Sequence, residues 1–160
     1  MGKIVVFSCR SCGYNAQMSL GVGKFCDISR LFNGIVDKAK KGEYGEEWRR
    51  EIKRDPTLVV DVSDEIYICP TCGASTTDLN LALYKPVEKI RFAALRHLKR
   101  YGTDLTLEQN PNFSLYKKYP HTCEKCDCDM IVYHWREEKI RPTCPYCSEK
   151  GEFSIDTLWD

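Results

Sequence analysis

The sequence predicts an α+β fold built from two small β units, the first interrupted by a helical insertion and the two joined by a helix. Eight of the ten cysteines form four C-x2-C pairs, with two pairs in each half of the chain. Short runs of β-forming residues lead into these pairs. Apolar residues recur at helical spacing between the two pairs of the first half, and again between the two halves.

The composition is that of a soluble globular protein. Hydrophobic residues make up 42% of the 160 residues and charged residues 29%. Because 24 basic side chains face 23 acidic ones, the chain as a whole carries no basic field that would point to nucleic acid. It contains no apolar run of 18 residues, so a membrane partner is not expected.

The start of the chain and its cysteine content predict a cytoplasmic metalloprotein. Between Met1 and Cys9 there is no room for the apolar stretch of a secretory signal. In the cytoplasm thiols stay reduced, and clustered cysteines there hold metal more often than they form disulfides.

The cysteine spacing predicts two tetrahedral zinc sites, with two Zn²⁺ per chain. Seventeen residues separate Cys126 from Cys144, within the range typical of one four-cysteine site, whereas 56 residues separate Cys12 from Cys69. Four pairs can be joined in three ways, and sequential joining closes the shortest loops. The expected ligand sets are therefore Cys9, Cys12, Cys69 and Cys72 for the first site, and Cys123, Cys126, Cys144 and Cys147 for the second.

The elements of the first half are predicted from periodicity. Strands are expected at 3–7, 58–62, 65–68 and 79–83. Two helices are expected in the insertion, at about 27–54. The first is capped by Asp27 and ends near Gly42, and the second carries Tyr44, Trp48 and Ile52 and stops before Pro56.

The second half is expected to begin after a linking helix at about 86–101 and a loop at 110–112. Strands are predicted at 130–135 and 153–158. The predicted domains are therefore 1–102, which includes the insertion and the linking helix, and 114–160.

The cysteine turns carry a family resemblance. Cys9-Arg10-Ser11-Cys12-Gly13-Tyr14 and Cys69-Pro70-Thr71-Cys72-Gly73 resemble the paired knuckles of zinc-ribbon and rubredoxin-like proteins. The whole chain, with Ser-Leu-Gly-Val-Gly at 19–23, resembles a group of uncharacterised bacterial zinc-ribbon proteins. The resemblance implies zinc-ribbon β units, and it leaves iron as an alternative metal in the first site.

Several further residues have a functional and a plain interpretation. Cys26 and Cys128 belong to none of the four C-x2-C pairs. Cys128 is either the redox-sensitive neighbour of a ligand or an incidental one. His121 or His134 could replace a cysteine as ligand. The linking helix is basic from Lys85 to Arg100, which suits contact with phosphates or an acidic protein surface, or a solvated face paired with the acidic segment 55–83 of its own fold. Aromatic residues alternate with charges near the second ribbon at 116–119 and 133–136, which suits either stacking on unpaired bases or core packing.

A complete thiolate shell leaves no open metal position, so the sequence favours a non-enzymatic protein without excluding an enzyme. The expected function is a binding or adaptor module for nucleic acid or a protein partner. The alternative is a rubredoxin-like protein for iron electron transfer or redox sensing. The sequence names neither the partner nor an oligomeric state.

Overall fold

The fold is described by a computed structural model over residues 2–20, 28–87, 107, 110–133 and 140–159. Within these ranges it has two helices and three small antiparallel sheets. None of the helices in this part of the chain is long and apolar enough to cross a bilayer. The elements are β1 (Gly2–Ser8), β2 (Asn15–Leu20), α1 (Ile28–Lys41), α2 (Glu46–Arg54), β3 (Val59–Val60), β4 (Asp64–Ile68), β5 (Ser75–Leu79), β6 (Leu83–Pro86), β7 (Phe113–Lys117), β8 (Ile131–Val132) and β9 (Glu152–Trp159).

The chain forms two compact units that alternate along the sequence. The first unit contains residues 1–23, 64–79 and 120–160, and the second contains 24–63 and 80–119. The expected boundary between 102 and 114 falls inside the second unit. Each unit therefore takes segments from both sides of that boundary.

The first unit consists of two three-stranded sheets, in the orders β2-β1-β9 and β5-β4-β8. β1 forms because Ile4 to Phe7 is a continuous run of β-branched and aromatic residues, of which Val5 and Phe7 are buried. Val5 packs with Leu20 and Ile66, so strands from both sheets share one apolar cluster.

In the first unit, strands from the first half of the chain pair with strands from the second half, whereas the two halves were expected to form separate β units. β1 pairs with β9 in an antiparallel register that places Phe7 opposite Phe153. β4 pairs with β8, with Tyr67 opposite Val132. The expected strands at 3–7, 65–68 and 153–158 are present, while the one at 130–135 is limited to β8 among the described residues.

The second unit contains α1, α2 and the sheet β3-β6-β7. Both predicted helices of the insertion are confirmed, although Asp27 lies outside the described residues and Tyr44, expected in the second helix, precedes α2. Trp48 and Ile52, one turn apart on α2, are both buried. The Trp48 Nε1–H donates to the carbonyl of Leu81 at 2.9 Å, tying α2 to the chain just before β6.

The predicted strand at 79–83 is wrong. β5 ends at Leu79 and β6 begins at Leu83, and residues 80–82 belong to neither strand. Leu81 has a φ of 56°, a left-handed conformation outside the range of a regular strand. The N–H of Leu81 donates to Asp61 and the N–H of Asp61 to Ala82, so this exchange replaces the ladder. The expected strand at 58–62 is correspondingly short, and β7 was not predicted.

Candidate metal centres

The four C-x2-C turns share one backbone conformation. In each, the first cysteine's carbonyl accepts an N–H from four residues later, and its own N–H donates to the carbonyl five residues later. The residue directly after the second cysteine always has positive φ: 76° at Gly13, 75° at Gly73, 54° at Asp127 and 65° at Ser148. The knuckles are thus a fourfold structural repeat, with a left-handed residue at the same place in every turn.

The eight sulfurs of these turns gather into two groups of four. Site 1, as we call it, consists of Cys9, Cys12, Cys144 and Cys147. Site 2 consists of Cys69, Cys72, Cys123 and Cys126. The sequential joining of pairs is therefore wrong, because the outer two pairs meet each other and so do the inner two.

Strand pairing explains this nested arrangement. Cys9 follows β1 and Cys147 precedes β9, and these two strands pair. Cys69 follows β4 and Cys126 precedes β8, and these two also pair. Each doubling of a loop costs only about 0.6 kcal/mol in closure entropy, so sheet pairing readily outweighs the preference for short loops.

The sulfur separations fit a tetrahedral metal ion. A Zn–S bond of about 2.3 Å places tetrahedral sulfurs about 3.8 Å apart. In site 1 Cys9 and Cys147 are separated by 3.5 Å and Cys12 and Cys144 by 3.7 Å. In site 2 the sulfur of Cys126 lies 3.5 Å from that of Cys69 and 3.8 Å from that of Cys72, and the sulfurs of Cys72 and Cys123 are 3.6 Å apart. Disulfide sulfurs would be about 2.05 Å apart, so these are free thiols at ligand spacing.

Backbone N–H groups favour the thiolate form at the first cysteine of two knuckles. The N–H of Cys12 lowers the pKa of Cys9 to about 7, and the N–H of Cys72 lowers the pKa of Cys69 to about 6. At Cys147 the N–H of Glu149 also lowers the pKa, but burial and the neighbouring thiols raise it overall, to about 12. Four crowded thiols do not all ionise by themselves, and a cation among them would neutralise that charge.

In both groups, half of the cysteines are buried in the protein interior. The first cysteine of every pair, namely Cys9, Cys69, Cys123 and Cys144, is at most 2% exposed. Cys9 and Cys144 pack with Phe7, and Tyr14 and Phe153 border this cluster. Four thiolates complete a tetrahedral shell, which is the arrangement of a structural rather than a catalytic ion.

The other candidate ligands lie elsewhere or outside the described residues. His121 belongs to neither four-sulfur group; it stacks on Tyr67 with ring centroids 3.7 Å apart, and its Nδ1 is 3.4 Å from Asp78. Cys128 directs its Sγ to the carbonyl of Cys126 at 3.5 Å and is also in neither group. Cys26, His134, the 21–23 stretch and the linking helix beyond 87 lie outside the described residues.

A pair of stacked tyrosines beside site 1 did not emerge from the sequence. Tyr14 and Tyr146 have ring planes within 2° of parallel and centroids 6.5 Å apart. Tyr146 is 81% exposed, whereas Tyr133 and Tyr119 pack against Phe153 and Trp48 as expected of core residues. The available signal was an aromatic residue between the two cysteines of a knuckle, where the turn projects side chains outward.

The left-handed residues at the knuckles lead to a stability prediction. Ser148→Gly should stabilise the metal-loaded protein by about 0.5 kcal/mol. The energy that serine loses by adopting a left-handed conformation is larger than the conformational entropy that glycine loses on folding. Urea unfolding followed by circular dichroism measures the change. Ser154→Gly, in β9 of the same unit, is the control and should destabilise. Equal destabilisation by both changes would contradict the prediction.

Comparison with known proteins leaves the chain without an assigned family. No protein-family model matches it, and no curated protein and no solved structure is significantly similar to it. The resemblance to bacterial zinc-ribbon proteins stays a prediction.

Proposed function

We propose that this chain is a non-enzymatic zinc protein in which two zinc ions, each bound by four thiolates, hold the first unit together. The observation that carries the proposal is the arrangement of eight sulfurs in two groups, each with neighbouring sulfurs 3.5–3.8 Å apart. Zinc prefers four tetrahedral ligands and binds thiolate strongly. With all four coordination positions filled by protein thiolates, the ions would have no open position for a water molecule or a substrate.

Elemental analysis of the purified protein tests this proposal. We expect two zinc ions per chain, and one or none would overturn it. Iron is the alternative metal, since four thiolates also suit it. That alternative was based on the knuckles at Cys9 and Cys69 sharing a site, and they belong to different groups. Visible absorption and red colour in protein grown with ample iron would favour it over zinc.

The second part of the proposal is that the metal-held unit binds single-stranded nucleic acid through the Tyr14–Tyr146 stack. Tyr146 is 81% exposed, and its ring lies almost parallel to that of Tyr14. An unpaired base can extend such a stack, at about 1–3 kcal/mol per base. Arg10, in the same turn as Tyr14, has a side chain 86% exposed, and its ion pair with Glu152 lies in solvent. Such an exposed pair contributes little, so phosphate can compete for the guanidinium.

Fluorescence anisotropy with a labelled oligo(dT) and an oligo(U) tests the nucleic-acid proposal. We expect binding that weakens as salt rises, and a loss of about 5- to 150-fold in affinity for Tyr146→Ala. Tyr146→Phe keeps the ring and should bind normally. Leu158→Ala removes another exposed apolar side chain of the same unit and should have no effect.

The outcomes separate the two classes of partner. Absence of binding to either oligonucleotide at low salt would overturn the nucleic-acid proposal and leave a protein partner as the one to seek. Binding that Tyr146→Ala does not weaken would show that the stack is not the contact surface.

A further inference from the structure

The two four-sulfur sites are joined by hydrogen bonds through Thr143. This residue directly precedes Cys144 of site 1. Its N–H donates to the carbonyl of Gly73 at 2.7 Å, and its Oγ1 donates to the carbonyl of Cys72 at 2.9 Å. Lys150 donates in turn to the same Oγ1, also at 2.9 Å. A knuckle of one site thus makes direct contact with a knuckle of the other.

The contact is close enough to require glycine at position 73. A Cβ built there would lie 2.3 Å from Thr143 Oγ1 and 3.2 Å from the carbonyl oxygen of Arg141. Gly13 has nearly the same φ, 76° against 75°, but nothing lies within 4 Å of its Cβ position. Gly13 therefore serves the turn alone, while Gly73 serves the turn and the contact between the sites.

The strands leading into the two sites also share their packing. Val5 lies in β1, which leads directly into Cys9, and it packs in one cluster with Ile66 of β4, which leads into Cys69. Both residues are at most 2% exposed. Ordering of either knuckle therefore supports the strand that carries the other.

We propose that the two sites load metal cooperatively, with the Thr143–Gly73 contact as the coupling element. The inference rests on the proposed metal binding. Without metal, a knuckle has no cross-link to fix its turn. Metal in site 1 fixes Cys144 and hence Thr143, which presents its donors to the carbonyls of Cys72 and Gly73. By linkage, metal in site 2 must favour site 1 by the same factor, and such couplings typically amount to about 5- to 150-fold.

Cobalt titration of the metal-free protein against a competing chelator tests the coupling, since cobalt–thiolate absorption reports each ion bound. The full chain should fill both sites together, with no stage at which one-site protein dominates. Thr143→Val keeps all eight cysteines and removes the Oγ1 donor. It should convert the titration into two separate steps. Gly73→Ala should do the same, whereas Gly13→Ala should keep the joint loading.

The outcomes distinguish this inference from the proposed function. Absence of cobalt–thiolate absorption would remove metal binding itself. Two ions bound in independent steps by the unaltered chain would overturn cooperativity while leaving metal binding intact. Joint loading that survives both Thr143→Val and Gly73→Ala would overturn the assignment of the coupling to this contact.

Discussion

Replacing Cys12 and Cys147 together by serine is expected to remove one metal ion per chain and leave the other bound. Both sulfurs belong to site 1, so site 2 keeps all four of its thiols. Structural zinc contributes about 10–16 kcal/mol of apparent binding energy, comparable to or larger than the 5–15 kcal/mol net stability of a domain. Loss of site 1 should therefore unfold the pairing of β1 with β9, and elemental analysis with hydrogen exchange measures both effects.

The matched control exchanges one cysteine of each site. Cys12→Ser with Cys72→Ser removes the same number of thiols but damages both sites, and it should lose both ions. Sequential joining of the pairs would give the opposite result for the two double variants. Two ions lost from Cys12→Ser/Cys147→Ser and one from Cys12→Ser/Cys72→Ser would refute the nested grouping.

The second large effect is expected at Trp48, in the unit that contains neither four-sulfur group. Trp48→Ala should destabilise the protein by about 3–5 kcal/mol, because it empties a site that is 2% exposed. It also removes the edge-to-face contact with Tyr119 at a 5.0 Å centroid distance. Denaturation followed by circular dichroism measures the change, and the zinc content should stay at two ions per chain.

Trp48→Phe is the control for this prediction. It keeps most of the apolar volume but leaves the carbonyl of Leu81 without the indole donor, at a cost of about 1–3 kcal/mol. A Trp48→Ala protein as stable as the parent would contradict the packing described for α2. Loss of bound metal from a still-folded Trp48→Ala chain would contradict the expectation that the metal content is unchanged.

Local features of the fold were predictable because their causes lie within a few residues. The cysteine spacing predicted four knuckles, and the helical periodicity predicted α1 and α2. Gly13 and Gly73 indicated left-handed turns, whereas Asp127 and Ser148 adopt the same conformation without a glycine to indicate it. A knuckle is decided by its own hydrogen bonds, so a sequence motif describes it well.

The pairing of knuckles was not predictable, because it depends on strands that lie far apart in the sequence: β1 pairs with β9, and β4 with β8. Nothing near Phe7 indicates that its cross-strand neighbour is Phe153. The strand predicted across Leu81 failed for a related reason: its alternating neighbours suggest a strand, but Leu81 accepts a hydrogen bond from Trp48 and donates one to Asp61 in a left-handed conformation. In both cases tertiary contacts outweigh local propensity.

The nested grouping has a consequence for synthesis on the ribosome. Cys9 and Cys147, neighbours in site 1, are 138 residues apart in the sequence. At about 5–20 residues per second, the first cysteine pair waits roughly 7–30 s for its partners to be translated. Site 2 can close earlier, since its last ligand, Cys126, emerges first. The amino-terminal thiols thus pass through a nascent stage in which the ligand set of site 1 is incomplete.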